Sequence, residues 1–166
     1  MEKRPIMKVA ANADPIQRTV LLVDDHPSIR LMIGAGLKAH GFRVLAASTG
    51  EQALDLCRNH PGSIDVLLSD LGLTPNELKS DEGRSAEDPI TNGLTLVKRA
   101  LGLRPSIKVV LFSAHSDQNL TALGVFEQPW KVLRKPVDLQ VLIKTIHESV
   151  NGPRSTPASE PVPRGM

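Results

Sequence analysis

Five short apolar runs, separated by more polar segments, dominate the pattern of this chain. Each run is rich in Leu, Val and Ile and is only a few residues long, which is typical of strands buried on both faces of a sheet. The runs cover residues 19–25, 42–47, 64–70, 107–114 and 130–136.

The segments between these runs carry apolar residues at helical spacing. A first helix is predicted over residues 28–40, with Gly41 as its stop. Its predicted buried stripe consists of Ile29, Met32, Ile33 and Leu37.

The same pattern predicts four more helices. Thr49 and Gln52 are spaced as a capping box at the start of the second. The third ends before Pro105, the fourth covers about 117–126, and Asp138 caps the fifth. Predicted buried residues in the third and fifth helices are Leu94, Val97, Leu101, Leu139, Leu142, Ile143, Ile146 and Val150.

The order of elements is strand then helix, repeated five times, which predicts an α/β fold with a five-stranded parallel sheet and helices on both faces. One interval breaks the regular spacing, because the third and fourth runs lie about twice as far apart as the others. The surplus, about residues 74–92, has five acidic and two basic side chains and almost no large apolar residue. We interpret it as a polar loop inserted after strand 3 rather than as a hidden sixth strand.

Length and composition bound the remaining possibilities. A chain of 166 residues suggests one domain, predicted over 18–151, between a flexible arm (1–17) and a disordered Pro- and Ser-rich tail (152–166). The net charge of +2 gives no bias toward nucleic acid, and the predicted tail leaves no room for a DNA-binding domain. No apolar run approaches the roughly 18 residues that span a membrane. With a single cysteine, Cys57, for which packing is the expected role, we expect a cytoplasmic protein.

Polar side chains stand where four of the five predicted strands end. Asp24 and Asp25 follow the first run, and Asp70, Ser113 and Lys135 close the third, fourth and fifth. Ligands bind at the carboxyl ends of strands in open parallel sheets, so we expect these five residues to share one rim. Clustered carboxylates suit Mg²⁺, and a carboxylate can attack phosphorus. Each residue taken alone is also explained as a solvated turn, a helix cap or a surface charge.

The sequence resembles the receiver domain of bacterial two-component response regulators over residues 19–150. The motifs that carry the resemblance are VDDHP, LLSDLGL, LFSA and LRKP, together with their spacing. It implies a flavodoxin-like fold and Mg²⁺ as cofactor. It also implies Asp70 as phosphoacceptor, Asp24, Asp25, Asp70 and the Gly72 carbonyl as the metal site, with Asp25 in direct contact, and Ser113 and Lys135 as sensors of the phosphoryl group.

The sequence departs from the family in the switch region. Receivers usually carry Tyr, Phe or His three residues before the lysine, and here that position holds Val132. Trp130 has the same strand parity and is either a substitute for that ring or a core residue. Gly93 corresponds to the glycine that normally follows the acceptor loop, and the insertion precedes it.

The resemblance implies a signalling function rather than an enzyme. The expected partners are a histidine kinase or histidine phosphotransfer protein and a downstream protein target, with no nucleic acid and no membrane, while a phosphorylation-dependent homodimer stays open. Leu120, Leu123, Phe126 and Trp130 are candidate apolar contacts on the output surface. A phosphorelay intermediate, a phosphate sink and a phosphorylation-independent binding module are the alternatives. An aspartate-nucleophile phosphatase is disfavoured, since Gly72 stands where such enzymes usually carry a second Asp.

Overall fold

The apolar runs form five parallel strands of a single sheet. The strands are β1 (Thr19–Val23), β2 (Arg43–Ala47), β3 (Val66–Asp70), β4 (Lys108–Ser113) and β5 (Lys131–Arg134). Their order across the sheet is β2-β1-β3-β4-β5, which is the order of the flavodoxin-like fold. The predicted fold class is therefore confirmed.

The structure is a computed structural model that describes residues 17–73 and 89–151. The predicted tail, nearly all of the predicted arm and residues 74–88 of the predicted insertion lie outside these ranges. The helices are α1 (Pro27–Ala39), α2 (Gly50–Asn59), α3 (Pro89–Leu103), α4 (Asp117–Ala122) and α5 (Leu139–Asn151).

Two layers of helices cover the sheet. Helices α1 and α5 pack on one face, where their buried residues, such as Leu37 and Ile146, meet Leu22, Leu68 and Phe112 of the strands. Helices α2, α3 and α4 pack on the other face, against strand residues such as Leu21 and Leu67. Because successive side chains of a strand point to opposite faces, each central strand contributes to both clusters.

The central and edge strands differ in burial. Every residue of β1 and β3 is buried, as predicted, whereas β2 and β5 carry exposed and half-buried residues. The prediction that all five strands are buried on both faces is wrong for this pair, because β2 and β5 are the two edges of the sheet.

One residue of the predicted α1 stripe lies on the wrong side of the helix. Ile33 and Leu37 are buried, but the side chain of Met32 is 64% exposed. Gly34 is buried instead, and it faces Leu22 and Val44 of the sheet. The buried side of α1 therefore includes Gly34 and leaves out Met32, which counting apolar residues alone does not detect.

Helices α3 and α4 have boundaries that differ from the predicted ones. Helix α3 already begins at Pro89, inside the segment predicted as a loop up to residue 92. Helix α4 ends at Ala122, not near residue 126, because Gly124 adopts a left-handed conformation with φ +67°. A short 3-10 turn over Val125–Glu127 follows it.

Local hydrogen bonds fix the other helix ends. The Thr49 hydroxyl accepts from the backbone N–H of Gln52, as predicted, while the Gln52 side chain accepts from Ser48 rather than closing the box on Thr49. The carboxylate of Asp138 accepts from the N–H of Val141 at the start of α5. Gly41 ends α1 at φ +85°, where a residue without a Cβ is favoured.

Arg104 ties the end of α2 to the end of α3. Its guanidinium donates to the carbonyl oxygens of Cys57, His60 and Gly62, at 2.7, 2.6 and 2.8 Å. Burial raises the pKa of the Cys57 thiol, although Arg104 and Arg58 oppose the shift. A buried thiol with a raised pKa is a poor nucleophile, in keeping with the packing role expected for Cys57. Within residues 17–73 and 89–151, no helix is long and apolar enough to cross a membrane.

Candidate functional site

The predicted site residues meet at one rim of the sheet. The strand order reverses between β1 and β3, which is where open parallel sheets bind ligands. Asp24 follows β1 directly and Asp70 is the last residue of β3, so their side chains leave neighbouring strands at the same end. Ser113 ends β4, and Lys135 follows β5.

An acidic cluster lies at the reversal point. Asp24, Asp25, His26 and Asp70 each offer one ligand atom, and these atoms all lie within 4.8 Å of one another. Asp24 is fully buried and Asp70 nearly so, whereas Asp25 is half-buried and His26 is exposed. The cluster therefore meets solvent at His26, with Asp25 partly exposed.

Lys135 links two of the carboxylates. Its Nζ lies 2.6 Å from Asp70 Oδ2 and 3.4 Å from Asp24 Oδ2, and it sits 5.0 Å from the centre of the Phe112 ring. One ammonium group cannot neutralise three carboxylates. In the ionised state the rim keeps excess negative charge that favours a divalent cation.

Backbone donors orient the two buried carboxylates. The N–H of His26 donates to Asp24 Oδ1 at 2.8 Å, and the N–H of Gly72 donates to Asp70 Oδ1 at 2.9 Å. The guanidinium of Arg30 also holds the loop, through a 2.7 Å bond to the carbonyl oxygen of Asp24. Each carboxylate thus has one oxygen bound by an N–H and the other facing Lys135.

The donor set fits Mg²⁺. This hard cation takes oxygen ligands and uses one or two carboxylates while it keeps several waters. The acidic pocket of Asp24, Asp25 and Asp70 offers carboxylate oxygens at close spacing, and Asp25 is only partly buried. Zinc sites are built mainly from Cys and His, and the pocket contains no cysteine among the residues that the structure describes.

Ser113 lies buried at the same rim but contacts a residue that the sequence did not single out. Its Oγ is 2.9 Å from Nδ1 of His115 and accepts the backbone N–H of His115 at 3.0 Å. His115 follows the serine by two residues in the sequence SAHS, and His26 follows Asp25 directly in VDDHP. Both histidines stand beside residues of the motifs, but no spacing rule connects them to the rim.

The predicted switch positions lie in and just before β5. Val132 and Trp130 are both half-buried and pack against the core cluster on the α2 and α3 side of the sheet. Trp130 therefore packs at the border of the core and is only partly buried. Of the candidate output contacts, Leu120 is fully buried and belongs to the core, while Leu123 and Phe126 are exposed.

Comparison with known proteins agrees with this geometry. The family model of the response regulator receiver domain matches residues 20–77. A cyclic di-GMP phosphodiesterase of Thermotoga maritima is 30% identical over 130 residues, which cover 78% of this chain and 30% of that protein. A two-component response regulator of Arabidopsis thaliana is 27% identical over 136 residues, covering 82% of this chain and 19% of the relative.

Solved structures match over most of the chain. A response regulator receiver domain protein from Clostridium thermocellum superposes with a TM-score of 0.64 at 25% identity, covering 81% of this chain and 94% of that one. The chain spans less than a third of the length of the two relatives named above. The similarity is thus to one part of each relative, and this chain belongs to the response regulator receiver family of two-component signalling proteins.

Proposed function

We propose that this chain is a phosphoacceptor signalling protein, in which Asp70 receives a phosphoryl group from a histidine kinase or a histidine phosphotransfer protein. The observation that carries the proposal is the environment of Asp70. Its buried carboxylate touches the Lys135 ammonium at 2.6 Å and lies in one cluster with Asp24 and Asp25. Receiver domains are signalling modules, so the product is a changed protein state rather than a released metabolite.

The transfer is a substitution at phosphorus. A carboxylate oxygen of Asp70 forms a bond to the phosphorus of a phosphohistidine, and the bond between phosphorus and the histidine nitrogen breaks. The electron pair of that bond stays on the imidazole, which can take up a proton. The N–H of Gly72 keeps the Asp70 carboxylate oriented, and Lys135 Nζ neutralises charge on the phosphoryl oxygens.

Mg²⁺ would be held by the side chains of Asp24, Asp25 and Asp70 and by the carbonyl of Gly72. Bound there, it supplies positive charge to the phosphoryl oxygens and offsets repulsion among the carboxylates. Asp25 is the proposed direct ligand because it is the least buried of the three carboxylates in the cluster.

The proposed output is a changed protein-binding surface over α4, β5 and α5. Ser113 and Lys135 would respond to the phosphoryl group, and both stand at the edge of that surface, since the N–H of Lys135 donates to the carbonyl of Ser113. Leu123, Phe126 and Val141 are exposed apolar side chains that a downstream protein, or a second copy of the chain, could cover.

Labelling by a small phosphodonor tests the proposal directly. The full chain is mixed with Mg²⁺ and acetyl phosphate, and intact mass is recorded before the acyl phosphate hydrolyses. We expect a gain of one phosphoryl group, which disappears when EDTA removes the metal. If no adduct forms with acetyl phosphate, phosphoramidate or a panel of histidine kinases, the chain is better explained as a phosphorylation-independent binding module.

Replacing Asp25 with Ala should weaken Mg²⁺ binding by at least about tenfold, because a direct ligand is lost and even outer partners of metal ligands contribute about 10- to 100-fold. Isothermal titration calorimetry measures the affinity. The matched control is Asp55→Ala, which removes the same charge from a side chain that is 68% exposed on α2, away from the rim.

The control variant should bind Mg²⁺ as the wild type does, apart from a small long-range effect that salt screens. Equal affinities for wild type and Asp25→Ala would show that Asp25 is not a ligand. A similar loss in Asp55→Ala would mean that net charge, and not coordination, governs binding.

A further inference from the structure

The hydroxyl of Ser113 is already engaged in the structure. It is fully buried, accepts the backbone N–H of His115 and lies 2.9 Å from the Nδ1 atom of the same residue. His115 itself is half-buried on the loop that joins β4 to α4. The side chain proposed to sense the phosphoryl group therefore starts from a contact that has to change.

The hydrogen bonds around the Ser113 hydroxyl indicate which atom donates in its contact with His115. A serine hydroxyl has one proton and two lone pairs, and one lone pair accepts the N–H of His115. A buried hydroxyl proton needs an acceptor, and over the described part of the chain His115 Nδ1 is the side-chain atom hydrogen-bonded to this oxygen. The geometry thus favours the Ser113 hydroxyl as the donor and His115 Nδ1 as the acceptor.

A phosphoryl oxygen on Asp70 would need that same proton. The oxygen is an acceptor only, so Ser113 can bind it only by turning its O–H away from His115. The two hydrogen bonds exclude each other, and breaking the first is a cost that the phosphorylated state has to offset.

The β4–α4 loop also connects His115 to the rest of the proposed switch. The next residue, Ser116, caps α4, and Asp117 forms an ion pair with Arg134 on β5, the neighbour of Lys135. The segment that begins at Ser113 thus carries one proposed sensor and, through Asp117, contacts the residue beside the other. Val132 leaves no aromatic ring at the usual switch position, so the loop offers another route to the output surface.

We infer that His115 is a positioning residue that holds the Ser113 hydroxyl in the unphosphorylated state and releases it when Asp70 is phosphorylated. The inference rests on the proposed function, because it needs a phosphoryl group at Asp70. In this chain the exchange of the Ser113 hydrogen bond between His115 and the phosphoryl group links the site to α4.

Nitrogen-15 NMR of the histidine rings tests the exchange in the full chain, with Mg²⁺ and beryllofluoride as the phosphoryl mimic. We expect the Nδ1 signal of His115 to move on adding the mimic, to the position that it has in Ser113→Ala. His40 is the internal control, since its Nδ1 lies 2.8 Å from the Gly36 carbonyl, away from the rim, and its signal should stay in place.

Two variants test the same exchange through the affinity for beryllofluoride. His115→Phe keeps a ring but removes the acceptor, so the resting state loses its contact and beryllofluoride should bind about three- to tenfold more tightly. His115→Asn restores an acceptor oxygen at the branch position of Nδ1 and should return the affinity to that of wild type. If the His115 ring only filled space, His115→Phe would keep the affinity of the wild type and His115→Asn would not.

The outcomes separate this inference from the function on which it rests. If the Gly72 amide signal does not respond to Mg²⁺ and beryllofluoride, the phosphoacceptor function is wrong and the inference falls with it. If Gly72 responds while the His115 Nδ1 signal stays unchanged, or if His115→Phe binds the mimic equally or more weakly, the inference alone is overturned.

Discussion

Replacing Asp70 with Asn should abolish the phosphoryl adduct while the fold stays intact. The amide lacks the anionic oxygen that attacks phosphorus, so no acyl phosphate can form at this position. The substitution preserves shape, and the amide oxygen can still accept the N–H of Gly72, which lies 2.9 Å from Asp70 Oδ1. Intact mass after treatment with Mg²⁺ and acetyl phosphate measures the loss, and thermal unfolding checks the fold.

The control is Asp55→Asn, the same chemical change at an exposed carboxylate on α2. This variant should gain one phosphoryl group, as the wild type should. An adduct on the Asp70→Asn protein would assign the acceptor to another side chain, and peptide mapping would distinguish Asp24 from Asp25, the two other carboxylates of the cluster.

The central strands and the rim were predictable because each corresponds to a local pattern in the sequence. A strand buried on both faces needs an unbroken apolar run, and β1 and β3 have one. Parallel strands end at the same edge, so polar residues that terminate such runs converge whatever the details of packing. The contact of Asp70 with Lys135 follows from this rule, although the two residues are far apart in sequence.

Structural features that depend on how helices and strands pack against one another have no such local pattern in the sequence. The exposure of Met32 depends on which side of α1 faces the sheet, and there Gly34 rather than Met32 lies beside Leu22. Likewise, a hydrogen bond between Ser113 and His115 requires one particular loop conformation. Leu120 was a candidate contact on the output surface. It lies in a short helix beside that surface, but its side chain is fully buried in the core.

Gly93→Ala should destabilise the protein by about 2–3 kcal/mol, the cost of overpacking a tight site. A Cβ at this position of α3 would lie 2.6 Å from the carbonyl oxygen and 2.8 Å from the Cα of Leu71. Both are backbone atoms, so they cannot move aside as the end of a flexible side chain can. The Leu71 backbone is also fixed, because its N–H donates to the carbonyl of Phe112 on β4 and its side chain is fully buried.

The direction of this effect opposes helix propensity, which makes the control informative. Alanine is favoured over glycine inside a helix by about 1 kcal/mol. Gly102 lies in the same helix, and a Cβ added there would meet no described atom within 4 Å. Gly102→Ala should therefore raise the free energy of unfolding slightly, while Gly93→Ala lowers it, both measured by urea denaturation.

The Gly93→Ala substitution should also alter the site around Asp70. Leu71 stands between Asp70 and Gly72, so a displaced Leu71 backbone disturbs the Gly72 N–H bond that orients the Asp70 carboxylate. We expect weaker Mg²⁺ binding and slower labelling in Gly93→Ala under conditions where the variant is still folded, and normal values for both in Gly102→Ala. Equal stability changes in the two variants would mean that α3 can move away from Leu71, and that this glycine does not hold the acceptor loop in place.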